Sequence, residues 1–196
     1  RQGVFMKRTK RGMALILSAV MLASCVTTIL IAASKDWSNP ELGSLSQYYE
    51  TGTNADPGRI STVKEDSGGT SYGIYMFVEK TVKSFMDWLC QQPSGTTYRA
   101  IGDKLYNAYA YNTSGQYYPG FGSNFKNIWQ EIGRNNRTEF AQAQKDFWES
   151  TQYTQLIANV KSLFPGFDMS NYSIALQNVF WSRSVHHGAG VTSGAV

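Results

Sequence analysis

The stretch from Tyr49 to Phe77, YETGTNADPGRISTVKEDSGGTSYGIYMF, most constrains the fold, because it sets a small strand-forming island inside an otherwise helical sequence. The β-branched run Ile60 to Val63 and the alternating run Ser71 to Phe77, with Tyr72, Ile74 and Met76, flank Ser67-Gly68-Gly69. Two such runs around a glycine turn predict a hairpin. Glu50 ends a preceding helical segment, and Asp66 lies in the hairpin turn sixteen residues later. Helix, loop and hairpin in that order can face two carboxylates across a groove. Glycoside hydrolysis needs such a pair: an acid that protonates the leaving oxygen, and a carboxylate that activates water or attacks.

The surroundings of the two acids differ in the direction this chemistry requires. A carboxyl near a helix C-terminus meets the negative end of the dipole, which favours its protonated form. Asp66 sits among Ser67, Gly68, Gly69, Thr70 and Ser71, where backbone amides can keep a carboxylate ionised. Unlike environments separate an acid from a base. Spacing alone says little, since a helix-end acid and a turn acid are common without catalysis.

Helical periodicity accounts for the rest. Ser38-Asn39-Pro40-Glu41 predicts a helix start, with Leu42, Leu45, Tyr48 and Tyr49 at helical spacing after it. Val78, Val82, Phe85, Met86 and Leu89 form one apolar face, and Tyr98, Ile101, Leu105 and Tyr109 another within Thr97 to Tyr111. Asn112 to Ser123 reads as a glycine-punctuated loop bearing Tyr117, Tyr118 and Phe121, after which Asn124 caps a helix with Phe125, Ile128, Trp129 and Ile132. Asn136 and Glu139 have capping-box spacing before Phe140, Ala143, Phe147 and Trp148. Thr151 to Phe164 and a segment from Ser170 to Gly188 are the last two predicted helices. The fold class expected is therefore α+β, mainly helical, with one small hairpin after the first core helix.

A length of 196 residues suits one well-cored domain. The formal charge of +4 points at first to nucleic acid. Five of the 18 Lys and Arg lie in Arg1 to Arg11, however, which leaves 13 against 14 Asp and Glu from Lys35 onward, a net of −1. A near-neutral domain removes that argument, and no nucleic-acid partner is expected. The basic start followed by uncharged Met13 to Ala33 predicts export, with Ile31-Ala32-Ala33-Ser34 as a cleavage site. The run also has the length of a membrane anchor, and Leu22-Ala23-Ser24-Cys25 has the form of a lipoprotein box. Residues 1–34 are thus read as signal peptide or anchor and 35–196 as the exported domain, either secreted or held on the outer face of the cytoplasmic membrane. Membrane contact is expected only through the first segment, and the domain is expected to be monomeric. The start at Arg1 ahead of Met6, and the stop at Val196 soon after a helix end, read as a fragment truncated at its C-terminus. Cys90 alone remains in the exported part; no disulfide is expected there, and burial as a small apolar residue is its ordinary role.

Several motifs also carry a resemblance. Glu65 to Gly73, EDSGGTSYG, resembles the turn of family 46 chitosanases that carries the second catalytic carboxylate. Tyr49-Glu50-Thr51-Gly52, Pro57-Gly58, Ile60-Ser61, Asp66, Gly68-Gly69 and Ser71-Tyr72-Gly73-Ile74-Tyr75 resemble more closely a group of bacterial and phage lysozyme-like domains, some fused to type VI secretion spikes. Phe140 to Phe147, and Trp181-Ser182-Arg183-Ser184-Val185-His186-His187-Gly188, extend that similarity over about residues 44–190. The resemblance implies a lysozyme-like fold that hydrolyses a β-1,4-linked amino-sugar polymer. It implies Glu50 as general acid, Asp66 as general base and Ser71 as a residue holding the attacking water. An inverting reaction follows, with the carboxyls roughly 6.5–9.5 Å apart. Met76 stands where the pattern has glutamine, and Glu65 where the chitosanase turn has glycine; Glu65 is an alternative base.

Substrate contacts are expected from Tyr72, Tyr75, Tyr117 and Tyr118, although Tyr72 and Tyr75 fall on opposite faces of one predicted strand and at most one can line a groove. The loop tyrosines and Phe121 can equally anchor their loop to the core. His186-His187 supply two ligands without a third, so no metal and no cofactor is expected. Asp56 is expected to cap a turn, and Trp129, Trp148 and Trp181 to lie in the core. Peptidoglycan is preferred to chitosan, because a cleft for a polycation should be rich in acids. A chitosanase, a lytic transglycosylase using Glu50 alone and a non-catalytic wall-binding module are the alternatives.

Overall fold

The computed structural model describes residues 41–52, 55–62, 69–113 and 121–191, with backbone only at 111–113. These belong to one folded unit, Glu41–Val196. Its elements in order are α1 (Ser44–Thr51), β1 (Ile60–Thr62), β2 (Thr70–Tyr72), α2 (Glu79–Cys90), α3 (Thr97–Thr113), α4 (Gly122–Asn135), α5 (Arg137–Trp148), a π-helical turn (Glu149–Tyr153), α6 (Thr154–Leu163), a 3₁₀ turn (Met169–Asn171) and α7 (Ile174–His187). The fold is α+β and mainly helical. The strands pair antiparallel with Ile60 opposite Tyr72, Ser61 opposite Ser71 and Thr62 opposite Thr70.

The core is aromatic and nearly continuous. Val82, Phe85, Met86 and Leu89 are the buried face of α2, as their spacing predicts, and Ile101 and Leu105 are buried on α3. Val78, placed on the same face by periodicity, is exposed, because α2 starts one residue after it. Phe85 meets Phe77, Phe140, Phe147 and Trp129 at ring-centroid distances of 5.3–6.1 Å. Trp129, Trp148 and Trp181 are all buried. Rings at such separations in tilted and edge-to-face contact add roughly 0.5–1.5 kcal/mol per pair to their area burial.

Several boundaries differ from those read in the sequence. The helix expected to open at Ser38–Glu41 begins, in the described residues, at Ser44: Gly43 holds φ +85°, and a side chain there would meet Trp181 and the Tyr75 hydroxyl at 2.9 Å. Helix α4 starts at Gly122, before Asn124, after Phe121 in the left-handed region. Asn136 is the first residue outside α5, but its side chain makes no cap bond. Its amide closes α4 on Ile132 O and its carbonyl opens α5 by accepting from Phe140 N, both at 2.8 Å. One residue serves two helices and lacks the extended backbone that a capping side chain needs. The last predicted helix begins at Ile174, where the Ser173 hydroxyl accepts from Leu176 N. Phe121, read as loop decoration, is fully buried.

Among the described residues no helix is long and apolar enough to cross a membrane. The segment read as an export signal or anchor, residues 1–34, lies outside them.

Candidate functional site

Glu50 occupies the last turn of α1, as expected. An eight-residue helix is marginal alone, and Gly43 offers no side chain to cap it. Asn178 of α7 supplies the cap from across the fold: its Oδ1 accepts from Gly43 N at 2.9 Å and from Leu45 N at 3.4 Å. Its Nδ2 donates to Glu41 O and to Ile174 O, both at 3.1 Å. At the other end of α1, His186 Nε2 of the same helix lies 3.6 Å from Glu50 Oε1. The helices α1 and α7 therefore run side by side in the same direction. The Glu50 side chain is 20 % exposed and that of His186 53 % exposed. A carboxyl held this way is shielded yet open to solvent. Tyr49, next to it, is 75 % exposed.

The end of α7 is itself fixed. Arg183 donates to Gly188 O at 3.0 Å and to Gly190 O at 2.7 Å, and Ser184 Oγ accepts from the Trp148 indole at 3.0 Å. The sequence run from Trp181 to Gly188 thus has structural work for Trp181, Arg183, Ser184 and Gly188, while His186 points its ring towards the acid.

The hairpin is anchored on its other side. Pro57 O accepts from the Trp129 indole at 2.9 Å and from Gln144 Nε2 at 3.0 Å, and Gln144 Oε1 accepts from Ile74 N at 2.8 Å. Gln144 is fully buried and ties the 55–62 segment, the residues after β2 and α5 to one amide. At Gly133 a Cβ would overlap the backbone of Gly58. Only two glycines let the loop cross α4 so closely. Asp56 Oδ1 accepts from Gly58 N at 3.0 Å, the turn-capping role expected of it.

The predicted run from Ser71 to Phe77 is not one strand. Strand β2 ends at Tyr72, Gly73 and Met76 take positive φ (74° and 50°), and the chain folds back so that Tyr72 and Phe77 exchange backbone hydrogen bonds at 2.9 and 2.8 Å. The turn carries both tyrosines inward. Tyr72 is fully buried against Phe121, Phe125 and Trp129, and Tyr75, 3 % exposed, packs on Trp181 and Phe77. Burial, with lesser contributions from Glu149, Asp146 and Glu41, raises the Tyr75 phenol far above its ordinary range. Neither ring is a substrate contact; both are core. Ser71 is half-buried, on the ribbon face opposite to Thr70 and Tyr72. Asp66, Glu65, Tyr117 and Tyr118 lie outside the described residues.

Cys90 is half-exposed at the end of α2, not buried as expected, with its Sγ 3.9 Å from Asp103 Oδ1. Partial burial and the Asp103 charge push its thiol up, away from nucleophilic character. Among the described residues no group of three or more His, Cys, Asp and Glu could hold a metal ion. Sequence reasoning missed the exposed Tyr49, the Glu50–His186 approach and the capping of α1 by Asn178 of α7. No local signal marks the last, because Asn178 follows the polar Gln177 and its partners at the start of α1 lie more than 130 residues away.

Comparison with curated protein sequences finds no match. The family model "Type VI secretion system spike protein VgrG3-like, C-terminal" matches residues 42–195, almost all of the folded unit. This match fits the spike-associated branch of the resemblance noted in the sequence. The chain belongs to the VgrG3-like C-terminal family of type VI secretion spike proteins.

Proposed function

We propose that this domain is a glycoside hydrolase that cuts the β-1,4-linked amino-sugar strands of peptidoglycan outside the cytoplasm. The observation that carries the proposal is Glu50: a partly shielded carboxyl at the end of a short helix whose start is capped by Asn178 of α7, with His186 of the same helix 3.6 Å from the acid. Such positioning suits a group that must protonate a leaving oxygen along a fixed line. Asp66, from the hairpin turn, is the proposed base that activates water, and Ser71, on the ribbon's outward face, is proposed to help hold that water. The reaction is then inverting. Tyr49, exposed beside Glu50, offers a ring on which a sugar can stack, and Tyr117 and Tyr118 are proposed to extend that contact. Membership of a type VI secretion family and the export character of residues 1–34 support action on a cell wall. The near-balance of acids and bases from Lys35 onward favours peptidoglycan over polycationic chitosan.

The test is to incubate the purified chain with peptidoglycan and with chitosan and to identify the products. Inverted (α) reducing ends from peptidoglycan are expected. Anhydro-sugar ends would replace the two-carboxylate scheme with a transglycosylase using Glu50 alone, and no cleavage of either polymer would leave a binding module.

A further inference from the structure

One cleft gathers positive charge on a domain that is otherwise nearly neutral. It is lined by Asp56, Gly58, Arg59, Ile60, Gln130 and Arg134, at the base of β1 and the end of α4. The Gly58–Gly133 crossing creates it: Arg59 and Arg134 each follow one of the two glycines, so the backbone approach brings their guanidinium groups to the same opening. Arg137, in the first turn of α5, is engaged beside the cleft, with Nη1 3.6 Å from Asp56 Oδ1 and Nη2 donating to Ala55 O at 2.9 Å. Among the described residues Asp56 is the one acid lining the cleft, and the same oxygen accepts from Gly58 N. Glu131, the neighbouring acid on α4, is bound to Lys104 at 2.7 Å. Among the described residues neither Arg59 nor Arg134 has a hydrogen bond or an ion pair for its guanidinium. The cleft therefore holds a surplus of cationic donors in the planar geometry that matches a carboxylate.

We propose that this cleft is a carboxylate-binding subsite that takes the peptide stems of peptidoglycan. The assignment rests on the hydrolase reading above and sharpens it. Arg59 O accepts from Gly73 N at 2.8 Å, so the cleft is built into the base of the hairpin that carries Asp66 and Ser71. A glycan seated along the ribbon would bring its acidic stems to the arginines, whereas the ammonium groups of chitosan would be repelled. The cleft thus selects a stem-bearing strand over a bare one.

The test measures binding without turnover. The full chain carrying Glu50→Gln is co-sedimented with intact sacculi, with glycan stripped of its peptides by an amidase and with the freed lactyl carboxyls then capped as neutral amides, and with chitosan. Intact sacculi are expected to bind about tenfold or more tighter than stripped glycan, as two charge-assisted contacts allow. Adding Arg59→Gln and Arg134→Gln should abolish that preference and flatten its salt dependence, while binding to stripped glycan stays the same. Arg134→Lys alone, which keeps the charge and loses the fork, should retain an intermediate preference. Equal binding of intact and stripped glycan by the parent, or an unchanged preference in the double variant, overturns the subsite. Stem-dependent binding by a chain that cleaves neither polymer would leave the subsite standing and remove the hydrolase reading alone.

Discussion

Helix α1 and the β1–β2 ribbon are each too short to keep their shape alone, and the chain holds them by opposite means. The ribbon is held by bulk. Tyr72 and Phe77 enter an aromatic core, Gly58 crosses Gly133 at backbone distance, and the buried Gln144 amide closes the loop onto α5. Helix α1 is held by direction. Its first amides find acceptors on Asn178, its start fits a gap only glycine can occupy, and its acid faces His186. Burial tolerates small displacements, because many contacts share the load. A few hydrogen bonds do not. The group placed by the directional set is the one proposed to move a proton, so position should be separable from stability in this molecule.

Core and cap variants test that separation. Trp129→Ala, which removes a fully buried ring and one donor to Pro57 O, should cost roughly 3–5 kcal/mol. Thermal unfolding would show it as the largest loss of the set, and a fall under about 1 kcal/mol would break the claim that the ribbon is held by bulk. Asn178→Ala should cost about 1–3 kcal/mol, yet cut wall hydrolysis by about tenfold or more well below the melting temperature, since misplacing an acid is costlier to rate than to stability. Activity lost only in proportion to the unfolded fraction would erase the distinction.

Tyr75 lies where the two regions meet. Its phenol is raised in the fold, so above pH ~10 the unfolded chain sheds that proton first and stability falls as pH rises. Tyr75→Phe should lessen the loss of stability between about pH 10 and 12, measured by urea unfolding, while Tyr98, also raised by burial and by its bond to Asp146, keeps part of it. An identical alkaline slope in both proteins would contradict that burial. The smallest effect is expected from His186→Gln: its ring makes one 3.6 Å approach to Glu50 from a half-exposed position, and such surface contacts contribute little to stability, so melting should barely move. A large drop in melting temperature would mean that His186 belongs to the core support of α7 instead of to the acid.

What the sequence makes legible follows from the same physics. Apolar periodicity places α2 through its buried face and puts Glu50 in the last turn of α1. Alternation alone misreads Ser71 to Phe77, because it carries no information about positive φ at Gly73 and Met76, and that fold-back turns Tyr72 and Tyr75 into core. Gln144 and Asn178 look like surface residues by polarity; their partners are 70 and 135 residues away, beyond any local pattern. The arginine cleft is equally hidden, since it exists only because two glycines 75 positions apart touch.

The most direct measurement compares the wild-type chain with Glu50→Gln in the release of reducing ends from purified sacculi, with matched circular dichroism and melting curves. A loss of about 100-fold or more with the fold intact is predicted, the scale of removing a positioned general acid. Hydrolysis at the wild-type rate by Glu50→Gln would contradict the account.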